Sequence, residues 1–227
     1  MCGRFSLKIN ASELEDETGV KAEVKQEPSF NIAPQQLILA LPSAEKEALR
    51  MRQWSWGWSL PLAAGSRFVI NARSETAAEK RSFARAYREA RCVIPATGFF
   101  EWDRRLKEKR TQPYHFQRKD GKPFWLAGLW RQESTESIPE FVLMTTEANE
   151  VMAPIHHRLP VILEAEAYRS WIDPSASLKT LKELSRPISF NEWEHWQVSP
   201  EVNKVIHNSP ELLKPWKSDT EQLDLFS

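Results

Sequence analysis

Cys2 is the first residue with chemistry to offer. It lies between Met1 and Gly3. A small side chain at position 2 permits removal of the initiator methionine, which leaves a cysteine with a free α-amine beside its thiol. An unperturbed α-amine titrates near about 7.7–8.0 and a thiol near about 8.5, so each has a nucleophilic form available around neutral pH. A 1,2-aminothiol condenses with an aldehyde to an imine, and the thiol then closes on the imine carbon to give a thiazolidine. That closure is intramolecular and gains the effective molarity of a tethered nucleophile. Taken alone, Met-Cys-Gly equally describes the start of a first strand.

Three other clusters combine acid–base and phosphate-binding groups. Asn71-Ala72-Arg73-Ser74-Glu75-Thr76 follows an apolar strand. If extended, it places Asn71, Arg73 and Glu75 on one face, and the arginine fork suits phosphate. The plain alternative is a strand end with a local Arg–Glu pair. Gly98-Phe99-Phe100-Glu101-Trp102 sets one carboxylate among three aromatics. Burial disfavours the ionised form of such a group and suits it to general acid work. In Pro154-Ile155-His156-His157-Arg158-Leu159-Pro160, an extended backbone puts His156 and Arg158 on one side and His157 on the other, pairing a proton carrier with a phosphate ligand. A metal site needs a third ligand at defined spacing, and Cys2 is the only soft candidate. We expect no metal and no cofactor.

The elements that must position these groups are mostly strands. The 227 residues suit one domain with a proper core. No apolar run approaches the roughly 20 residues of a membrane helix, and Met1–Phe5 lacks the apolar stretch of a secretory signal. Two cysteines are too few for a disulfide framework and suit a reducing compartment, so we expect a cytoplasmic protein. Strand-like runs cover Leu37–Leu41, Leu49–Trp58, Phe68–Arg73, Cys92–Ile94, Phe99–Trp102, Tyr114–Gln117, Phe124–Ala127 and Phe141–Thr145, with turn signals between them. Thr76-Ala77-Ala78-Glu79 reads as a capping box opening a helix towards Glu89. Glu164–Trp171 and Leu178–Leu184 are two more helices. The pattern predicts an α+β fold, a β-rich single domain over residues 1–216 with a barrel-like mixed sheet and peripheral helices, then a polar tail over 217–227.

Formal net charge is zero, so any nucleic-acid site is a local patch rather than a global field. Arg73, Lys80, Arg81, Arg85, Arg88 and Arg91 face three glutamates in one run, and Arg104–Arg110 holds five basic residues and one acid. Solvated helix faces and a basic hairpin tip describe these runs equally well. There are ten tryptophans, and Trp54, Trp56 and Trp58 alternate as along a strand with one aromatic face. Trp is mainly core material, with a minority available to stack on bases.

Taken in order, Cys2-Gly3-Arg4-Phe5, Asn31-Ile32-Ala33-Pro34, Trp56-Gly57, Asn71–Thr76, Gly98–Trp102 and His156–Pro160 resemble the SRAP family, named from "SOS response-associated peptidase", whose members shield abasic sites in DNA. The resemblance runs from residue 2 to about residue 210. It implies the SRAP fold and a mature N-terminal Cys2 that forms a thiazolidine with the ring-opened abasic deoxyribose in single-stranded DNA. It further implies that Asn71 positions the Cys2 terminus, Glu101 assists imine formation and proton transfer, and His156 assists ring opening and crosslink resolution. Arg4, Arg73 and Arg158 are implied as phosphate clamps. Asn31 and Pro34 are implied in a loop against the DNA, and Trp102 beside the site. A β-lyase side activity follows from the imine, and the peptidase label refers to release of Met1 or reversal of the crosslink. Family members carry an aromatic soon after the proline that follows Trp-Gly. Leu60-Pro61-Leu62-Ala63-Ala64 has none, so a wedge between bases would have to come from elsewhere, with Trp58 the candidate.

The tail ends in Gln222-Leu223-Asp224-Leu225-Phe226, which looks like the pentapeptide by which bacterial repair proteins dock on the replication sliding clamp. A polar head and two apolar anchors on a polar spacer can fill a groove and fold on binding. The alternative is an apolar C-terminus packed on its own domain. We expect a monomer without membrane contact. Competing readings of the whole chain are an N-terminal-nucleophile hydrolase of the glutamine amidotransferase type, which also begins Met-Cys-Gly, a non-catalytic DNA-binding module, and a zinc protein.

Overall fold

The computed structural model describes residues 2–43, 49–63, 65–103, 111–164 and 166–217. The central element is a closed ring of five strands. Glu140–Glu147 pairs with Phe124–Arg131, which pairs with Arg91–Ala96, then Leu37–Pro42, then Arg50–Trp56. The ring closes because Arg50–Trp56 returns to Glu140–Glu147 in parallel, with Ser55 opposite Glu140 and Trp56 opposite Phe141. Every residue of Arg91–Ala96, and Phe124–Leu129 in its partner, is buried. Runs covered on both faces read as unbroken apolar segments rather than as an alternation.

A second, antiparallel sheet has the order Trp193–Gln197, Gln112–Arg118, Gly98–Asp103, Phe5–Leu7, Ser29–Ile32. The chain passes from the ring to this sheet at Thr97, whose amide donates to the Ser6 carbonyl (2.8 Å). Consecutive residues of Gly98–Asp103 therefore serve two cores. Phe99 packs with the main core, stacked on Phe116 at 5.0 Å. Phe100 packs with Val198, Val202 and Leu212 on the other face.

The three alternating tryptophans do not share a strand. Trp56 ends one strand, packing on Phe5 (5.2 Å) and Phe141 (6.3 Å). Gly57 then takes φ +100°, a conformation that favours glycine, and a Cβ there would sit 2.4 Å from the Phe68 ring. Trp58 begins a separate hairpin, Trp58–Leu62 with Gly65–Val69, and is 1% exposed. Burial removes it as a wedge between bases. The helix expected from Thr76 to Glu89 is two pieces, Ser74–Ala77 and Ala84–Glu89, with Arg73 rather than a capping box at the start of the first. Ala77 and Phe83 are both buried, yet six positions put them about 120° apart on one continuous helix. The intervening turn brings both inward. Leu178–Leu184 forms as expected, and in place of the expected Glu164–Trp171 the helix runs over Ala167–Ile172. No helix of the described residues is long and apolar enough to cross a membrane. The basic run Arg104–Arg110 and the tail peptide Gln222–Phe226 lie outside the described residues.

Gly98 makes close approach possible at the centre of the second sheet. A Cβ there would lie 2.2 Å from His115 Nε2 and 2.9 Å from the Phe116 carbonyl. Overpacking a core in this way costs about 1–3 kcal/mol, so Gly98→Ala should lower the unfolding free energy by that amount, seen as a lower urea midpoint with unchanged slope. His115 is fully buried, with Nε2 3.3 Å from Ser6 Oγ, and burial, helped by Lys8, pushes its pKa down from 6.5 to about 3. The folded state keeps the ring neutral while the unfolded chain binds a proton below pH 6.5, so stability falls as pH drops through that window. The loss attributable to this group approaches about 1.4 kcal/mol per pH unit. Urea unfolding of wild type and His115→Phe between pH 7 and 4.5 should show the steeper decline in wild type.

Candidate active site

Cys2 stands at the entry to Phe5–Leu7, the second sheet's strand between Gly98–Asp103 and Ser29–Ile32. Its side chain is fully buried, with Sγ 3.8 Å from the Arg4 carbonyl. Burial pushes the thiol up to about 12, and the nearby Glu101 carboxylate raises it further against the opposing effect of the N-terminal charge. The thiol is accordingly held protonated at neutral pH.

Asn71 reaches Cys2 from the ring. Trp56 Nε1 and the Leu143 amide both donate to the Ile70 carbonyl, each at 3.0 Å. They anchor the start of Asn71–Arg73, which pairs in parallel with Leu143–Thr145. The Asn71 Nδ2 donates to the Cys2 carbonyl at 2.9 Å, and Asn71 Oδ1, also buried, has no hydrogen-bond partner among the described residues.

Glu101 follows from alternation along Gly98–Asp103: Phe99 and Glu101 share one face, Phe100 and Trp102 the other. Glu101 is 1% exposed and lies 3.9 Å from His156 Nδ1. Trp102 therefore does not pack beside Glu101. It joins the Phe100 cluster, and its Nε1 donates to Asn203 Oδ1 at 2.7 Å.

His156 closes the turn before Arg158–Pro160, its amide donating to the Met152 carbonyl at 2.9 Å. Its Nδ1 lies 3.0 Å from the Arg158 amide and 3.2 Å from the Arg158 carbonyl. One backbone group donates when Nδ1 is bare and the other accepts when it is protonated, so the ring keeps a partner on Nδ1 in either state. His157 is exposed, as expected, and its ring stacks on His156 at 4.5 Å.

The arginines divide. Arg158 is buried, forms a two-point ion pair with Glu75 (2.8 and 2.9 Å) and donates to the Thr145 carbonyl (2.7 Å). Its fork is occupied by the protein. Asn71, Arg73 and Glu75 do not share a strand face, because the strand stops at Arg73 and Glu75 belongs to the short helix that follows. Arg73 itself is exposed. Arg4 Nη1 donates to Asn31 Oδ1 (2.6 Å) and the Val202 carbonyl (2.7 Å). Asn31 is buried and donates from Nδ2 to the carbonyls of Val202, Lys204 and His207 (3.2, 3.1 and 2.7 Å). Arg4 and Asn31 thus fasten the N-terminal strand to the segment 202–207. Pro34 precedes the exposed Gln35, which turns the chain with φ +72°.

The structure therefore gathers Cys2, Asn71, Glu101 and His156, from four separate parts of the chain, with Arg73 exposed nearby. Sequence reasoning missed Thr145 and the 202–207 carbonyls. Their contribution is backbone or a small hydroxyl, which carries no compositional signal. Among the described residues no group of three or more His, Cys, Asp or Glu could hold a metal ion.

The arrangement has known counterparts. The family model described as SOS response associated peptidase (SRAP) matches residues 1–205. Abasic site processing protein YoqW of Bacillus subtilis is 35% identical over 224 residues, covering 94% of this chain and 99% of its own. Abasic site processing protein YedK of Escherichia coli is 30% identical over 233 residues, covering 95% and 100%. A crystal structure of a protein from Bacteroides thetaiotaomicron superposes with a TM-score of 0.80 over 95% of this chain and 100% of that one, at 21% identity. With the family model spanning nearly the whole domain and both named relatives aligned from end to end, this chain belongs to the SRAP family.

Proposed function

We propose that this chain processes abasic sites in single-stranded DNA by covalent capture through the mature N-terminal Cys2. The observation that carries the reading is the Asn71–Cys2 hydrogen bond of 2.9 Å, which fixes residue 2 in a buried setting with Glu101 and His156. The names of the relatives YoqW and YedK support the lesion.

Once Met1 is removed, the Cys2 α-amine adds to the aldehyde carbon of the ring-opened deoxyribose. The carbinolamine loses its hydroxyl as water and leaves an imine. Sulfur then adds to the imine carbon, its proton passing to Glu101 and on to the nitrogen. One water is released overall, and the C–S and C–N bonds complete the thiazolidine. With Met1 in place, burial pushes the thiol up; a buried neutral thiol follows the amine as nucleophile and needs a proton acceptor when it closes. His156 moves the proton that opens the sugar ring, and resolution runs the capture steps backwards: the C–S bond breaks to restore the imine, one water hydrolyses it, and the freed aldehyde recloses. The imine acidifies the adjacent carbon, which accounts for a β-lyase side reaction. Arg73 takes a phosphate, and Pro34 lies in the loop against the strand. Arg4, Asn31 and Arg158 hold the frame rather than the DNA, since Arg4 Nη1, both Arg158 Nη atoms and the Asn31 amide are already bonded within the protein.

Mixing the protein with an oligonucleotide bearing one abasic site should give a band that survives denaturing electrophoresis and is absent with Cys2→Ala. Glu101→Gln should slow its appearance by about 100-fold, the lower range for a lost proton carrier. An equal band from Cys2→Ala, or none from wild type shown by mass spectrometry to lack Met1, would sink the reading. The peptide Gln222–Phe226 is the proposed sliding-clamp ligand that delivers the protein to replication forks. Deleting residues 221–227 should abolish pulldown on the clamp and leave crosslinking at the wild-type rate, and undiminished pulldown would overturn the docking role.

A further inference from the structure

Arg81 and Arg85 of the basic run, and two of the tryptophans, are not used by the chemistry at Cys2. They meet at a cavity of about 540 Å³ whose lining includes Trp58, Trp130, Arg81, Arg85, Arg131 and Glu89. Trp58 is 1% exposed, and the Nε1 donors of both Trp58 and Trp130 have no hydrogen-bond partner among the described residues. A buried indole N–H ordinarily has an acceptor, so this wall has donor capacity that the protein does not fill. Arg131 lies over the Trp58 ring at 5.1 Å, held there by Glu140 (2.8 Å). Arg81 and Arg85 are exposed on the rim, and Arg85 pairs with Glu89.

The geometry points to a binding site for a nucleoside monophosphate unit in this cavity. Its volume lies within the roughly 300–1,000 Å³ usual for small-ligand sites. Phosphate oxygens suit the arginine forks, and a base suits the half-buried ring of Trp130. A phosphate would meet the guanidinium groups of Arg81, Arg85 and Arg131, of which Arg85 pairs with Glu89 and Arg131 with Glu140 and Glu133. The cavity also lies near the candidate active site along one strand. Arg131 is opposite Glu140 and Asn71 is opposite Leu143, a separation of three residues, or about 10 Å at ~3.3 Å per residue. The unit is therefore a nucleotide of the strand that carries the lesion or a free nucleotide. The site itself does not depend on the reactivity of Cys2.

Calorimetric titration with dTMP and with thymidine, and fluorescence anisotropy with a thymidine 12-mer lacking any abasic site, decide the matter. The comparison is wild type against Arg81→Glu/Arg85→Glu, with thermal unfolding confirming that both fold. Wild type should bind dTMP and not thymidine, and the variant should bind dTMP about tenfold more weakly, the loss expected for charge-assisted contacts. Weaker 12-mer binding alongside weaker dTMP binding assigns the site to the DNA strand, whereas unchanged 12-mer binding assigns it to a free nucleotide. Three results overturn the site: no dTMP binding by wild type whatever the 12-mer does, thymidine binding as well as dTMP, or dTMP affinity unchanged in the variant. Because none of these arms uses an abasic site or Cys2, failure of covalent capture and failure of this cavity are separate outcomes.

Discussion

The hydrogen bond from Asn71 Nδ2 to the Cys2 carbonyl joins residues 69 positions apart and ties the second sheet to the ring. A terminal residue is ordinarily among the least ordered of a chain. Here its backbone is fixed from one side by Asn71, and Arg4, two residues on, is fastened to Asn31 and the Val202 carbonyl. Asn71 can make this contact because the Ile70 carbonyl takes two donors, and those donors stand in place because Arg50–Trp56 closes the ring onto Glu140–Glu147. Ring closure is thus the constraint from which the position of the nucleophile follows.

That constraint places ionisable groups where isolated ones would be costly. A thiol, a carboxylate and an imidazole lie together with almost no solvent contact, and burial and the carboxylate raise the proton affinity of the thiol. The Cys2 thiol is the clearest case, raised first by burial and then by Glu101. A thiol held in the neutral form is a poor standing nucleophile and an unreactive bystander towards adventitious electrophiles. In the proposed capture it acts when a proton acceptor is in place and the electrophile is already tethered through nitrogen. The His156 ring, with a backbone partner at Arg158 for either state of Nδ1, is suited to repeated proton transfer without rearrangement.

The surrounding charges serve two purposes that sequence cannot separate. Arg158 is buried with a two-point carboxylate partner and a carbonyl, the arrangement that makes a buried guanidinium tolerable. Arg73, Arg81 and Arg85 are exposed on a chain with no net charge. Attraction of a polyanion is then confined to where these side chains cluster, and it weakens with salt as exposed charges do.

Much of the scaffold was legible in the sequence because strand periodicity and turn chemistry are local: the runs around Leu37, Phe99, Phe124 and Phe141 and the helix Leu178–Leu184 needed no tertiary information. The burial of Glu101 was legible from its three aromatic neighbours, and the candidate chemistry of Cys2 from its place in the chain. The role of each arginine was not legible, because a guanidinium that binds phosphate and one that binds a glutamate of the same chain have the same local sequence. The end of the strand at Arg73, the split of the helix between Ala77 and Phe83, and the placement of Trp102 across the sheet from Glu101 were settled by which faces had a core to pack against. Residue types and their local pattern determined the available chemistry and the element types. Only tertiary structure decided which groups share a site, because that depends on pairing between strands far apart in the chain, where no local periodicity carries the information.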